Sequence, residues 1–179
     1  MDDSDIRQNP HPTQAYEITV EVRDAPGAFD AVAGSAIFRV SNQNCSPQDP
    51  LSGVRQVPTS FRSTKFEPWG HDRYRATVHL DLLEDDDYFG MGICHWRFDG
   101  FVVSLQAHGV SFGSDMLADR IRAQTSDTWF VSKELFHRFD IKDMSVSAVP
   151  LSDYIAQHRG EFFSITVTAK ERHDGRRME

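Results

Sequence analysis

Glu84-Asp85-Asp86-Asp87 sets four carboxylates in a row, and Tyr88 and Phe89 follow at once. Three kinds of chemistry suit such a run. A hard cation such as calcium prefers carboxylate oxygens, although the run lacks the alternate spacing and closing Glu of an EF-hand loop. A basic protein surface would meet the charges, with the two rings as apolar anchors. Water alone would satisfy them at a turn between strands. The expected contact set is Asp85, Asp86, Asp87, Tyr88 and Phe89. Trp69, in the segment Glu67-Pro68-Trp69-Gly70-His71-Asp72, joins it as an exposed aromatic.

Other chemistry-bearing residues are sparse. Two cysteines, Cys45 and Cys94, match no zinc spacing. The expectation is one bridge between them, with two buried thiols as the alternative. A bridge would close a loop of about 50 residues and stabilise by roughly 4 kcal/mol in the chain-entropy picture. His79 and His95 could face a shared metal, but two histidines are an incomplete ligand set. Cys94 and His95 are adjacent, so in a strand their side chains point to opposite faces, which counts against a nucleophile–base pair. No nucleophile elbow, HExxH or phosphate-cradling glycine loop occurs. The expectation is a non-enzyme without cofactor or metal. Trp69, Trp96 and Trp129 could form a sugar-stacking platform, although Trp96 shares the Cys94 face and suits a core.

The elements that must position these residues are mostly strands. Tyr16–Arg23 alternates apolar and polar, as do Arg73–Leu83 and Phe162–Lys170. Ser35–Ser41 predicts a further strand, and Phe29–Ala33 is ambiguous, with a short turn of helix as its reading. Asn42–Asp72 has no period and holds four prolines. Its apolar residues, Leu51, Val54, Phe61, Phe66 and Trp69, predict that it lies against the body, with short edge strands at Gly53–Val57 and Ser60–Phe66. Gly90–Phe98 and Phe101–Ala107 predict a hairpin about Asp99-Gly100, a dipeptide that favours positive φ. Met116–Ala123 predicts a short helix, and Ser152 an N-cap for Ser152–His158. Thr128–Ser132 and Met144–Val149 predict short strands, and Lys133–Phe139 strand or helix. The sum is a mainly β chain: a β-sandwich of roughly seven to nine mostly antiparallel strands with one or two short helices.

The domain expected is 15–171, with 1–14 as a flexible N-terminal arm and 172–179 as a charged, frayed tail. A net charge of −8 disfavours nucleic acid and anionic lipid. It permits a protein partner with a basic surface. The start, Met1-Asp2-Asp3-Ser4-Asp5, lacks the basic and apolar regions of an export signal. Taken as full length the chain would be cytoplasmic. Taken as a mature form it would be periplasmic, with a lipid anchor as one tether and no direct membrane insertion.

VSNQNCSPQDPLSG, then LDLLEDDDYFGMGICHWRF, then an apolar hairpin, resembles small exported β-sandwich proteins of proteobacteria. Some of these are immunity proteins against secretion-system toxins. The resemblance spans Tyr16 to Phe112. It implies a periplasmic, non-enzymatic inhibitor that neutralises a toxin by occluding it. The alternative is a carbohydrate- or small-ligand-binding β-sandwich module.

Overall fold

The computed structural model describes residues 5–138 and 143–172. Residues 1–4, 139–142 and 173–179 lie outside that description, among them Phe139 and most of the expected tail. Two five-stranded sheets face each other. In chain order the strands are β1 (Ala15–Arg23), β2 (Ala31–Val40), β3 (Thr59–Lys65), β4 (Glu67–Pro68), β5 (Arg73–His79), β6 (Trp96–Ala107), β7 (Val110–Leu117), β8 (Ser126–Ser132), β9 (Met144–Ser147) and β10 (Phe162–Glu171). One sheet has the order β4-β5-β1-β10-β8 and the other β3-β2-β6-β7-β9. Every pairing is antiparallel except β7 with β9. The helices α1 (Ala118–Arg122), α2 (Lys133–Phe136) and α3 (Asp153–Gln157) are one turn or a little more. Ser152 caps α3 as expected, its hydroxyl accepting from the Ile155 N–H.

The alternating strands become sheets because each has one apolar face to bury. Ile18 and Val20 of β1, and Ile165 and Val167 of β10, are fully buried. Between the sheets the core is aromatic. Phe112 stacks on Phe136 at 6.0 Å, and Phe163 meets both edge-on. Towards the other end Phe98 packs edge-on to Phe38, and Phe101 to Phe66. Such ring pairs add about 0.5–1.5 kcal/mol beyond their burial.

Both long sides of the sandwich are bridged. At Phe66 the chain leaves β3 in one sheet and enters β4 in the other, with the Phe66 ring buried at the corner. Across the molecule the segment after β9 crosses to the opposite sheet, where Val149 and Phe130 exchange backbone bonds of 3.0 and 2.8 Å. These crossings cover edges that would otherwise invite pairing with other chains.

The expected hairpin over Gly92–Ala107 is absent. Asp99 and Gly100 lie inside the continuous strand β6, and neither has positive φ. Ile37 faces Gly100 and Phe38 faces Phe98, so Asp99 is the extra residue of a β-bulge, with Arg39 and Arg97 on its carboxylate. Gly100 is small because a Cβ there would stand 3.0 Å from the Met116 carbonyl oxygen. The actual hairpin turn is His108-Gly109, with φ of 55° and 81°, between β6 and β7. The expected strand at Gly90–Phe98 starts only at Trp96, and β5 ends at His79, short of Leu83. No strand forms over Gly53–Val57, where Arg55 makes a single bridge with Gln48.

Gly34, on β2, leaves room for the Phe101 ring, and an added methyl would overlap that ring and stand 2.9 Å from Phe66. Gly34→Ala is expected to destabilise by about 1–3 kcal/mol. Urea unfolding would show this as a lower midpoint at unchanged slope.

Candidate partner-binding site

Two segments without sheet structure meet at one end of the sandwich. The first follows β2 and carries Cys45 at the close of a single 3-10 turn, Gln43–Cys45. The second follows β5 and carries Cys94, which bridges Asp86 through a 2.9 Å bond from its N–H. Cys45 and Cys94 are disulfide-bonded. Both are buried, with 2% and 0% of their surface exposed, in a small apolar cluster with Val40, Val57, Phe89 and Trp96. Asn42 clasps the same joint. Its side chain donates to the Ile93 carbonyl (2.8 Å) and accepts from the His95 N–H (2.7 Å).

The acidic run is largely employed in building this joint. Asp85 accepts from the Trp96 N–H at 2.8 Å and contacts the His95 ring nitrogen at 2.7 Å. Asp86 pairs with Arg7 and accepts from the Asp87 N–H. Asp87 accepts from the Met91 N–H at 2.9 Å. Tyr88 donates to the Glu84 carbonyl and sets its ring edge-on to Trp96. Asp85 to Phe89 therefore form one braced loop. Trp69 is not part of it. It sits beyond β4, where its N–H bonds to the Arg73 carbonyl. That is the far end of β5 from the acidic loop, roughly 20 Å away at about 3.3 Å per strand residue. The Arg75 guanidinium lies 5.8 Å from its ring. Trp96 and Trp129 are half-buried against the core, so the three indoles make no shared platform. Among the described residues no group of three or more His, Cys, Asp or Glu side chains is placed to hold a metal.

The joint creates a trough of about 710 Å³. Its lining includes the apolar Ile6, Val57, Phe61 and Phe89, the prolines Pro47 and Pro58, and the exposed Asp49. The aperiodic segment does not lie flat on the body as expected. Leu51 has 97% of its surface exposed, Val54 60% and Phe61 59%. Of the apolar residues expected to anchor it, Phe66 alone is buried.

Leu51 tips a small finger between Gln48 and Arg55, which is tightly tied. Asp49 Oδ1 accepts from the Leu51 N–H (2.9 Å), the Ser52 N–H (2.7 Å) and the Ser52 hydroxyl (3.0 Å). Ser52, through its N–H and then its hydroxyl, holds the Asp49 carboxyl below its ordinary value, and the Leu51 N–H adds to this. The Asp49 N–H donates to the Val54 carbonyl and the Gly53 N–H to the Asp49 carbonyl. Gln48 reaches the Gly53 carbonyl, and Arg55 the Ser46 carbonyl beside the disulfide. Leu51, Phe61 and Ile6 are site residues that sequence reasoning missed. The available signal was apolar residues in a proline-rich stretch without any period to bury them.

Residues 5–14, expected as part of a flexible arm, run against the second segment. Ile6 is buried, Gln8 bridges Leu83, and the Asn9 N–H donates to the Leu82 carbonyl at 2.8 Å. Asp81 fastens the strap by accepting from the N–H groups of Thr13 and Gln14 at 2.8 and 3.1 Å. Burial pushes the Asp81 carboxyl up, but these N–H groups and the Thr13 hydroxyl outweigh it and hold the carboxyl below its ordinary value.

No family model, curated protein or solved structure matches the chain.

Replacing Cys45 and Cys94 together by Ala should cost about 2–5 kcal/mol in urea unfolding. The acidic loop should then gain protease sensitivity while the β-sheet circular dichroism stays. Asp81 has a depressed folded-state pKa, so its contribution is complete above its unfolded value and is lost as pH falls through the folded one. Asp81→Asn should therefore flatten the loss of stability on acidification below about pH 4. It should also expose residues 5–14 to proteolysis at neutral pH.

Proposed function

We propose that this is a non-enzymatic binding or inhibitory protein of an oxidising compartment, the periplasm in a bacterial setting. It captures a protein partner at the trough and finger beside Cys45–Cys94. The observation that carries the reading is Leu51, almost wholly exposed at the tip of a finger held by its own hydrogen bonds. A large apolar side chain left in water adds no burial to the fold. It is preorganised for a partner, where little ordering remains to oppose binding. Phe61, Met91 and Ile93 extend the exposed apolar surface around the same joint. The buried disulfide supports the compartment, because reducing cytosol disfavours structural bridges.

The form that fits the sequence resemblance is an immunity protein that occludes a cognate toxin. Contact through the trough moves the centre of the site away from the acidic carboxylates, which are occupied with backbone N–H groups. Asp85 and Asp87 brace the contact surface, and Phe89 contributes to it directly.

The probe is the product of a toxin-like reading frame beside this gene. Cells exporting that product should grow when this protein is co-exported, and the two should co-purify. Leu51→Asp with Phe61→Asp is expected to weaken the complex by more than about 2 kcal/mol, beyond thirtyfold in affinity, and to abolish protection. Absence of protection would sink the inhibitor reading.

A further inference from the structure

We infer that the trough receives an extended segment of a partner protein, in which an apolar side chain sits next to a lysine or arginine. This rests on the binding reading above and goes further, to the chemistry of what is bound.

The apolar half of the recognition comes from Phe61 and Phe89. Both rings line the trough, and Phe61 has more than half its surface in water. Filling the space between them would remove that surface from water, at about 25 cal/mol per Å². The trough opens to solvent and has Pro47 and Pro58 in its lining. An extended segment is the slimmest stretch of chain that could occupy it. A proline wall is stiff and offers no N–H of its own.

The charged half comes from Asp49. Among the described lining residues it is the one with a charged side chain. Its Oδ1 is taken by the finger, while among the described residues none donates to its Oδ2. The hydrogen bonds to Oδ1 hold its carboxyl below the ordinary value. Exposed Glu84 and Asp87 stand in the segment that supplies Phe89, and the whole chain carries −8. A cation on the incoming segment meets a favourable field on approach and a free carboxylate oxygen on arrival. An acidic segment would meet repulsion at both stages. The finger and both walls are already ordered, so the segment supplies most of the entropy loss on binding.

The test uses the full, oxidised chain and phage-displayed random linear peptides, selected at low salt. Enriched peptides should share an apolar residue beside Lys or Arg. A synthetic peptide of the enriched sequence is then titrated by fluorescence anisotropy. Phe61→Asp should lower its affinity at least about tenfold. Asp49→Asn keeps the Oδ1 acceptor, and hence the finger, but removes the charge. It should lower affinity about two- to fivefold and flatten its salt dependence. Both variants must retain the disulfide and the melting temperature, which separates loss of binding from loss of fold.

No enrichment, enrichment of acidic peptides, or binding unchanged by Phe61→Asp would each overturn the inference. So would a concentration-dependent doubling of mass that Phe61→Asp abolishes, because a second copy would then be the occupant. Peptide binding without toxin protection upholds the segment while sinking the inhibitor reading. Protection without peptide binding does the reverse.

Discussion

The buried bond between Cys45 and Cys94 joins two segments that have no sheet ladder of their own. Around it the chain runs from Asn42 to Pro58 and from Leu80 to His95 with single bridges and side-chain clasps. Closing the intervening loop limits the unfolded chain by about 4 kcal/mol in the entropy picture. That is a large share of a typical net stability of about 5–15 kcal/mol. The joint also sets Phe89 against the base of β3, since Phe89 and Val57 pack on the disulfide cluster and the chain runs from Val57 into β3, which carries Phe61. Without the bond the core strands would keep their ladders, but the trough would have no fixed width.

The sandwich explains why the trough is at this end. Strands that switch sheets at Phe66 and at Val149 bridge the two sides. At the opposite end from the disulfide, Phe29 sits on Phe112 and Phe136, and His108 meets Phe136 edge-on. The turn residues there feed the core. At the disulfide end the connections are long and outward-facing, the usual place for recognition on a rigid scaffold. The N-terminal strap belongs to that end too, because Ile6 lines the trough while Arg7 pairs with Asp86.

Strands with strict alternation were legible in the sequence. β1 and β10 lie where period-two patterning put them, because burying one sheet face dictates that pattern. Asp99-Gly100 misled because an Asp-Gly pair serves a tight turn, while glycine alone also marks a bulge or a close backbone approach. Only the register of β2 against β6 distinguishes these. The bridge was expected and is present, although two cysteines in a chain do not by themselves show that the fold brings them together. The acidic run drew attention as a charge cluster, yet its carboxylates hold backbone N–H groups that no spacing rule announces. The trough was illegible for a related reason. Its walls come from four separated places, near residues 6, 47–50, 57–61 and 89, and they converge through tertiary structure alone.

A carboxylate that accepts hydrogen bonds from N–H groups is still charged. Asp87 and Asp49 brace loops and at the same time keep the field around the trough negative. Asp86 differs, because Arg7 neutralises it locally. On the proposed reading the two contributions act at different stages of binding. A long-range field would set how fast a basic partner arrives and would fade as salt rises. Apolar contact at Phe61, Phe89 and Leu51 would set how long it stays. A protein that must hold its partner gains most from rigid apolar anchors, and those are the residues the finger and the disulfide hold in place.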